Sequence, residues 1–187
     1  MIHCNTNIKI PFLWGKSVFN KSKWTQVNLI VGPNGSGKTL LAQEIKNQFE
    51  DAGYKCRFFS TQRDNSDEVI NMFAKSIKFE KNENNQLVPM VINKARNVEY
   101  NLKDQECHGL KEILTLLVSL YSSNENCLIY DEPELHLHPQ FQLFFMNEIQ
   151  KVAKLNKNKI FFLITHSPFF IDLKSPKDLI GVVVCHT

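Results

Sequence analysis

The stretch LIVGPNGSGKT, residues 29–39, decides how the rest of this sequence is interpreted. Three apolar residues lead into a turn with three glycines, and the turn ends in Lys38 and Thr39. Glycines allow the backbone to direct its N–H groups to one point, and a following helix adds the positive end of its dipole. The spacing G-x-x-x-x-G-K-[ST] between a strand and a helix therefore predicts a turn that holds the phosphates of a nucleoside triphosphate.

The lysine and the threonine that end this turn have chemical roles in binding a triphosphate. Lys38 is expected to reach the β- and γ-phosphates, and Thr39 to offer its hydroxyl to Mg²⁺. The alternative is a glycine-rich turn that contains a lysine by coincidence, and the strand-like run before it and the helical pattern after it argue against that. The predicted nucleotide-binding residues are Gly32, Pro33, Asn34, Gly35, Ser36, Gly37, Lys38, Thr39 and Leu40.

Apolar runs and helical periods alternate along the rest of the chain. The predicted strands and helices are the runs 7–13, 27–32, 55–61, 127–132, 160–165 and 179–185 and the segments 40–52, 110–121, the stretch opened by Pro139, and 167–173. Buried strands separated by helices indicate an α/β fold of the P-loop type. Its mainly parallel sheet would be flanked by helices, with a small antiparallel β element at the N-terminus.

The carboxyl ends of the strands in such a sheet carry the functional groups. We expect a single domain over residues 1–187. The polar segment 64–105 has the weakest pattern, and residues 64–109 are expected to form a small inserted helical or irregular subdomain.

The composition excludes several classes of protein. Hydrophobic residues make up 43% and charged residues 22% of the 187 residues, as in an ordinary soluble domain. The formal charge of +3 is not concentrated in a basic run, so it neither requires nor excludes a nucleic-acid partner. Five cysteines without a C-x-x-C pair, and no signal peptide, indicate a reducing compartment. No apolar run approaches the ~20 residues that span a membrane, so we expect a cytoplasmic protein.

The stretch CLIYDEPELHLHP, residues 127–139, places two carboxylates at the end of an apolar strand. Asp131 is expected to hold the Mg²⁺ shell, and Glu132 to act as general base for the attacking water. Adjacent acidic residues can also be simple surface residues, but these follow four apolar residues and a phosphate-binding turn. His136 and His138 form an H-x-H pair, for which zinc is the alternative, without a nearby acidic or cysteine partner.

The stretch FFLITHSPFF, residues 161–170, ends a third apolar strand in a histidine, His166. A histidine at the carboxyl end of a strand can sense the γ-phosphate and hold the attacking water. A histidine in that position is more often structural when it occurs alone. The two other motifs, which precede it in order, favour a functional His166.

The order of these three motifs resembles the ATP-binding-cassette (ABC) class of P-loop ATPases, in the branch that contains SMC, RecF and OLD-like proteins. The resemblance covers nearly the whole chain and is specific at residues 32–39, 128–139 and 162–168. It implies that the nucleotide is ATP, that Glu132 is the catalytic glutamate and that His166 is the switch histidine.

The same resemblance assigns further residues. Gln62 follows the strand CRFFST and falls where the family's glutamine contacts Mg²⁺ and the attacking water. Leu137 and His138 fall where the family contacts a second subunit. Three aromatic residues precede the phosphate-binding turn, where the family places its adenine-stacking aromatic, and core packing is the alternative role for each: Phe12, Trp14 and Phe19.

The family's signature motif, roughly Leu-Ser-Gly-Gly-Gln, departs here from its usual form. Cys107 replaces the serine and His108 the glycine, whereas Gly109 fits the final glycine. This departure weakens the expected cap on the γ-phosphate of the partner subunit, although Gly109 could still supply N–H donors. The segment between Gln62 and Gly109 is too short and irregular for a coiled-coil arm, which leaves a compact ATPase head.

By resemblance, the expected function is an ATP-driven dimerisation switch in DNA repair or in defence against phage and plasmids. The partners would be a second copy or a related head, with an effector protein and DNA as further candidates. The alternatives are the nucleotide-binding subunit of an ABC transporter and a nucleotide-gated scaffold with little turnover. The altered signature and the ELHLHP form argue against the transporter, while Glu132 and His166 argue for turnover.

Overall fold

A computed structural model describes residues 2–9, 18–60, 77–81, 87–93, 98–101, 108–171 and 179–185. The strands in these residues are β1 (Ile2–Lys9), β2 (Val18–Trp24), β3 (Val27–Val31), β4 (Cys56–Phe59), β5 (Ile77–Lys81), β6 (Leu87–Asn93), β7 (Val98–Asn101), β8 (Cys127–Asp131), β9 (Ile160–Thr165) and β10 (Ile180–Val184). The α-helices are α1 (Lys38–Asp51), α2 (His108–Ser122) and α3 (Pro139–Leu155), and a short 3₁₀-helix covers Pro168–Phe170.

The centre of the fold is a parallel sheet of five strands in the order β10-β3-β9-β8-β4. The register aligns Val31 at the end of β3 with Thr165 at the end of β9, and Asp131 with Ile164. The carboxyl ends of β3, β8 and β9 therefore meet at one edge of the sheet. The predicted mainly parallel sheet is confirmed, and the three sequence motifs lie side by side.

Helices cover both faces of this sheet, because alternate strand residues point in opposite directions. On one face, Ile30 and Phe162 belong to a buried cluster with α1 residues such as Ile45. On the other face, Leu29 and Leu163 are buried in a cluster with residues of α2 and α3. Burial on both faces explains why these strands are continuous apolar runs in the sequence.

The ends of two predicted helices are confirmed. Helix α1 ends at Asp51, and Gly53, at φ 89°, donates its N–H to the carbonyl of Glu50. A left-handed glycine of this kind commonly terminates a helix. Helix α3 begins at Pro139, directly after His138, whose Nδ1 accepts a hydrogen bond from the N–H of Gln140 at 3.4 Å.

The N-terminal element is larger than the pattern predicted. Strand β1 begins at residue 2, whereas the sequence predicted a strand over 7–13, of which residues 10–13 lie outside the described residues. It pairs antiparallel with β2, a strand that the sequence analysis did not predict as such. The sequence of β2, VFNKSKW, is mostly polar and partly exposed, so it lacks the apolar run of a buried strand.

The inserted segment also differs from the expectation. Strands β5, β6 and β7 form a three-stranded antiparallel sheet, where the sequence predicted a helical or irregular subdomain over 64–109. Residues such as Val88, Val91 and Ile92 have the high strand propensity that suits this structure, but polar neighbours and Pro89 obscure the period. Within the described part of the chain, no helix combines the length and apolar character needed to cross a membrane.

Candidate functional site

The loop between β3 and α1, residues 32–37, is called the phosphate loop here. Gly35 and Gly37 have φ values of 78° and 79°, in the left-handed region that glycine adopts without strain. Gly32 is needed for space, because a Cβ built there would lie 2.6 Å from the carbonyl oxygen of Cys185 and 2.8 Å from Oγ of Ser36. The loop thus depends on glycine at three positions, for two different reasons.

Lys38 lies at the start of α1 with its side chain folded over the phosphate loop. Its Nζ donates to the carbonyl oxygens of Gly32 and Pro33, at 3.0 and 2.9 Å, and the residue is buried. The ammonium group therefore lies against the first two residues of the loop. This is the location that a cation needs in order to meet phosphate groups bound by the loop N–H groups.

The hydroxyl of Thr39 connects the phosphate loop to β8. Its Oγ1 donates to Oδ2 of Asp131 at 2.9 Å, while Oδ1 of Asp131 is buried without a hydrogen-bond partner among the described residues. Burial raises the pKa of Asp131; the hydrogen bond from Thr39 opposes the rise and the charge of Glu132 adds to it. A hydroxyl beside a carboxylate with one unpaired oxygen is an oxygen donor set that suits Mg²⁺, so these two residues fit the predicted cation.

The segment between β8 and α3, residues 132–138, is called the acidic loop here. Glu132 has φ 47° and His136 has φ 65°, so two residues with side chains occupy the left-handed region. The N–H of Glu132 donates to the carbonyl of Ile164 at 2.9 Å, which ties the loop to β9. The Glu132 side chain is 30% exposed, and its Oε1 lies 3.7 Å from Nδ1 of His166.

Glu134 is a buried carboxylate that the sequence analysis did not identify as a site residue. Its Oε1 accepts hydrogen bonds from Oγ1 of Thr165 at 2.7 Å and from the backbone N–H of His166 at 3.0 Å. Its Oε2 is buried and has no hydrogen-bond partner among the described residues. The only available signal was the second glutamate of the D-E-P-E run, whose burial depends on how the loop folds back.

A chain of hydrogen bonds continues from this carboxylate to α3. The N–H of Ser167 donates to Oγ1 of Thr165 at 2.9 Å, and Oγ of Ser167 donates to Oε1 of Gln142 at 2.6 Å. Nε2 of Gln142 donates in turn to the carbonyl of Leu137 at 2.9 Å. The end of β9 and the acidic loop are therefore held together by buried polar contacts, which fix both segments.

The structure brings together most of the predicted site residues. Lys38, Thr39, Asp131, Glu132 and His166 lie at the carboxyl ends of three adjacent strands, and the charges of Lys38 and Glu132 both act on Asp131. Among the other predicted nucleotide-binding residues, Pro33, Asn34, Gly35 and Leu40 are exposed. Their roles are not tested by contacts and stay predictions.

Other predicted residues lie elsewhere or outside the described part. Gln62, Cys107, Phe12 and Trp14 lie outside the described residues. Phe19 packs against the Trp24 ring, with centroids 6.2 Å apart, next to the buried cluster under α1.

Gly109, in the first turn of α2, lies against the acidic loop, since a Cβ there would lie 3.1 Å from the carbonyl of His136. His138, half of the H-x-H pair, caps α3. Within the described residues, no cluster of three or more histidine, cysteine, aspartate or glutamate residues could hold a metal ion by itself.

Comparisons with known proteins agree with this fold. Residues 104–171 match the family model described as AAA ATPase domain. The SMC head domain from Thermotoga maritima is similar in structure, with a TM-score of 0.62 and 12% identity over 91% of each chain. An ATP-binding cassette of an ABC transporter is similar with a TM-score of 0.53 and 17% identity, over 91% of this chain and 84% of that one. The ADP conformation of that cassette has a TM-score of 0.53 and 14% identity, over 89% of this chain and 82% of that one.

A comparison with curated proteins finds no match. At these low identities, the structural matches establish the fold and not the partners or substrates. The chain has the fold of the SMC head and of the ABC cassette, so the fold that the three motifs implied by resemblance is confirmed.

Proposed function

We propose that this chain binds ATP with Mg²⁺ and hydrolyses it as an ABC-type ATPase head. One observation carries the proposal: the Thr39 hydroxyl donates to Asp131 and so joins the phosphate loop to the acidic strand end. The cationic Lys38 and the half-exposed Glu132 flank this contact. In this proposal the triphosphate would lie between Lys38 on one side and the carboxylates of Asp131 and Glu132 on the other.

The chemistry follows from the residues in hand. Lys38 would exchange its bonds to the loop carbonyls for bonds to the β- and γ-phosphate oxygens. Mg²⁺, held by Thr39 and Asp131, would supply positive charge at the phosphate oxygens. Glu132 would accept a proton from water as the water oxygen bonds to the γ-phosphorus, and the bond from that phosphorus to the bridging oxygen would break, leaving ADP and phosphate.

Hydrolysis would serve a dimerisation switch in the cytoplasm. In this proposal two heads close on two nucleotides, and Gly109 of one copy faces Lys38 of the other. A second copy or a related head is the direct partner, and an effector protein and DNA are further candidates. DNA repair and defence against phage or plasmids are the roles proposed for the switch, by analogy with the branch that its sequence resembles.

The proposal is tested by Glu132→Gln, which keeps the shape of the side chain and removes its basicity. We expect ATP binding to be retained and hydrolysis to fall by about 10²–10⁴-fold, the usual effect of removing a positioned general base. The measurements are ATP affinity by calorimetry and phosphate release with Mg²⁺. Equal hydrolysis rates in the two proteins would exclude Glu132 as the base.

The same variant tests the switch, because it should trap the ATP-bound dimer. Light scattering should detect a dimer of Glu132→Gln with ATP and Mg²⁺, and a monomer or a weak association without ATP. The experiment is run with and without DNA. A strict monomer in every condition would contradict the homodimer and favour a scaffold, or a partner protein that supplies the signature residues.

A further inference from the structure

The imidazole of His166 lies next to two carboxylates that differ in their surroundings. Its Nδ1 is 3.6 Å from Oε1 of Glu134 and 3.7 Å from Oε1 of Glu132. Glu134 is 6% exposed at its side chain, whereas Glu132 is 30% exposed. Both oxygens face the same ring nitrogen, just beyond hydrogen-bonding distance.

Only one of these carboxylates is fixed in place. Oε1 of Glu134 accepts from Thr165 Oγ1 and from the backbone N–H of His166 itself, so it is anchored to the residue whose ring it faces. Within the described residues, the Glu132 side chain has no comparable anchor, and its backbone N–H is bonded to β9. An acceptor held by two donors keeps its position, while a half-exposed glutamate can rotate towards solvent or a substrate.

A neutral imidazole carries its proton on one nitrogen and offers a lone pair on the other. Negative oxygens close to Nδ1 favour the proton on that nitrogen, because unlike charges attract at such distances, and the burial of Glu134 reduces the screening of its carboxylate by water. The unpaired Oε2 of Glu134 adds a second buried acceptor on the same carboxylate. Nε2, across the ring, is then left as an acceptor.

We propose that Glu134 is a positioning residue that holds the His166 ring as the Nδ1–H tautomer, so that Nε2 accepts a hydrogen bond from water. In that form Nε2 orients the attacking water and leaves Glu132 to take its proton. This role of Nε2 rests on the proposed function, whereas the tautomer does not. These two roles also explain why the loop contains two glutamates near one histidine. Glu134 orients the His166 ring, and Glu132 accepts the proton of the attacking water.

The tautomer is measured by long-range ¹⁵N–¹H correlation spectra of the labelled protein at pH 8.5 without nucleotide. The His166 signals are assigned by their loss in His166→Gln. The wild type should show protonated Nδ1, and Glu134→Gln should shift the ring towards protonated Nε2. The matched control is Glu132→Gln, which should keep the wild-type tautomer.

Each other outcome overturns the proposal. Protonated Nε2 in the wild type excludes it, and so does an unchanged tautomer in Glu134→Gln. Loss of the Nδ1–H tautomer in both Glu134→Gln and Glu132→Gln would mean that the two glutamates hold it together and that Glu134 alone does not. If Glu134→Gln does not fold, Glu134→Asp, which withdraws the carboxylate while keeping its charge, takes its place with the same expected result.

A kinetic measurement separates this inference from the proposed function. Glu134→Gln should lower kcat for ATP by about 10–100-fold, by analogy with the loss of the hydrogen-bonding partner of a metal-binding histidine, with the ATP dissociation constant unchanged. A wild type that shows the tautomer but does not hydrolyse ATP would overturn the ATPase and leave the tautomer assignment intact. A wild type that hydrolyses ATP but lacks the Nδ1–H tautomer would overturn the tautomer assignment and leave the ATPase intact.

Discussion

The phosphate loop and the acidic loop lie side by side at one edge of the sheet, yet they are built in opposite ways. In the phosphate loop, the left-handed positions are Gly35 and Gly37. In the acidic loop, they are Glu132 and His136, which both carry side chains. A left-handed conformation costs about 1–2 kcal/mol for a residue with a Cβ and almost nothing for glycine.

The difference reflects what each loop presents to a ligand. The phosphate loop uses backbone N–H groups, so side chains at its turning points would only obstruct them. The acidic loop must present a carboxylate at a sharp turn, directly after a buried strand, and glycine cannot supply one. Strain at Glu132 is therefore compensated by the fold, through contacts such as the bond from its N–H to Ile164.

The largest expected effect concerns Lys38, whose charged side chain folds over the phosphate loop. Lys38→Ala should weaken ATP binding by at least about 100-fold, because it removes two hydrogen bonds to charged groups that contribute about 1.5–3 kcal/mol each. Calorimetry measures the affinity. The control is Lys46→Ala in the same helix, whose ammonium pairs with Glu50 at 3.0 Å, and it should bind ATP normally. Unchanged affinity in Lys38→Ala would mean that the backbone of the loop suffices, or that ATP binds elsewhere.

The bond between Thr39 and Asp131, which joins the start of α1 to the end of β8 beside the two loops, should come next. Thr39→Val keeps the shape of the side chain but leaves Oδ2 of Asp131 without its donor, so the free energy of unfolding should fall by about 1–3 kcal/mol. Urea denaturation measures the change, with Thr39→Ser as the variant that retains the hydroxyl. If threonine, serine and valine give equal stabilities, the bond from Thr39 to Asp131 does not stabilise the contact between α1 and β8.

A smaller effect is expected at the left-handed glycine of the phosphate loop. Gly35→Ala meets no atom within 4 Å, so its cost is conformational alone, about 1–2 kcal/mol of unfolding free energy. Gly35→Asn should lose less, because asparagine tolerates the left-handed region. An alanine variant as stable as the wild type would show that the loop can change its backbone conformation.

The smallest expected effect is in the acidic loop, where glycine replaces a residue that carries a side chain in the left-handed region. At His136, we compare two variants that both remove the imidazole, His136→Gly and His136→Ala. Glycine should be the more stable of the two by about 1 kcal/mol, the opposite of the order found where φ is negative. The free energy of unfolding of each decides the sign. Alanine as the more stable variant would mean that residue 136 leaves the left-handed region when its side chain is removed.

The sequence predicted those parts of the site whose chemistry is local. The phosphate loop could be found because spacing alone places three glycines and a lysine between a strand and a helix. Asp131 and His166 could be found because each ends a buried apolar run, and parallel strands bring such ends to one edge.

Glu134 could not be predicted in the same way. It follows Glu132 by two residues in a loop, and nothing in the pattern indicates that one glutamate is buried against Thr165 while the other is half exposed. Strand β2 was missed for a related reason, since its partner β1 supplies the pairing that its own polar sequence, VFNKSKW, does not indicate. In both cases the structure depends on contacts with residues that are distant in sequence or on the other side of a turn.

The position of β3 in the sheet has a consequence for folding. Its neighbours are β9 and β10, and the side chain of Asn28 on β3 donates to the carbonyl of Phe161, 133 positions further along the chain. The N–H of Cys185 donates to the carbonyl of Val31. The carbonyl oxygen of Cys185 packs against Gly32 at the start of the phosphate loop. Contacts of such sequence separation are slow to form, because closing the long loop costs entropy before any contact compensates for it. We therefore expect the phosphate loop to acquire its final shape during synthesis only after β9 and β10 have docked, and a nucleotide bound there to stabilise selectively those chains that have completed the sheet.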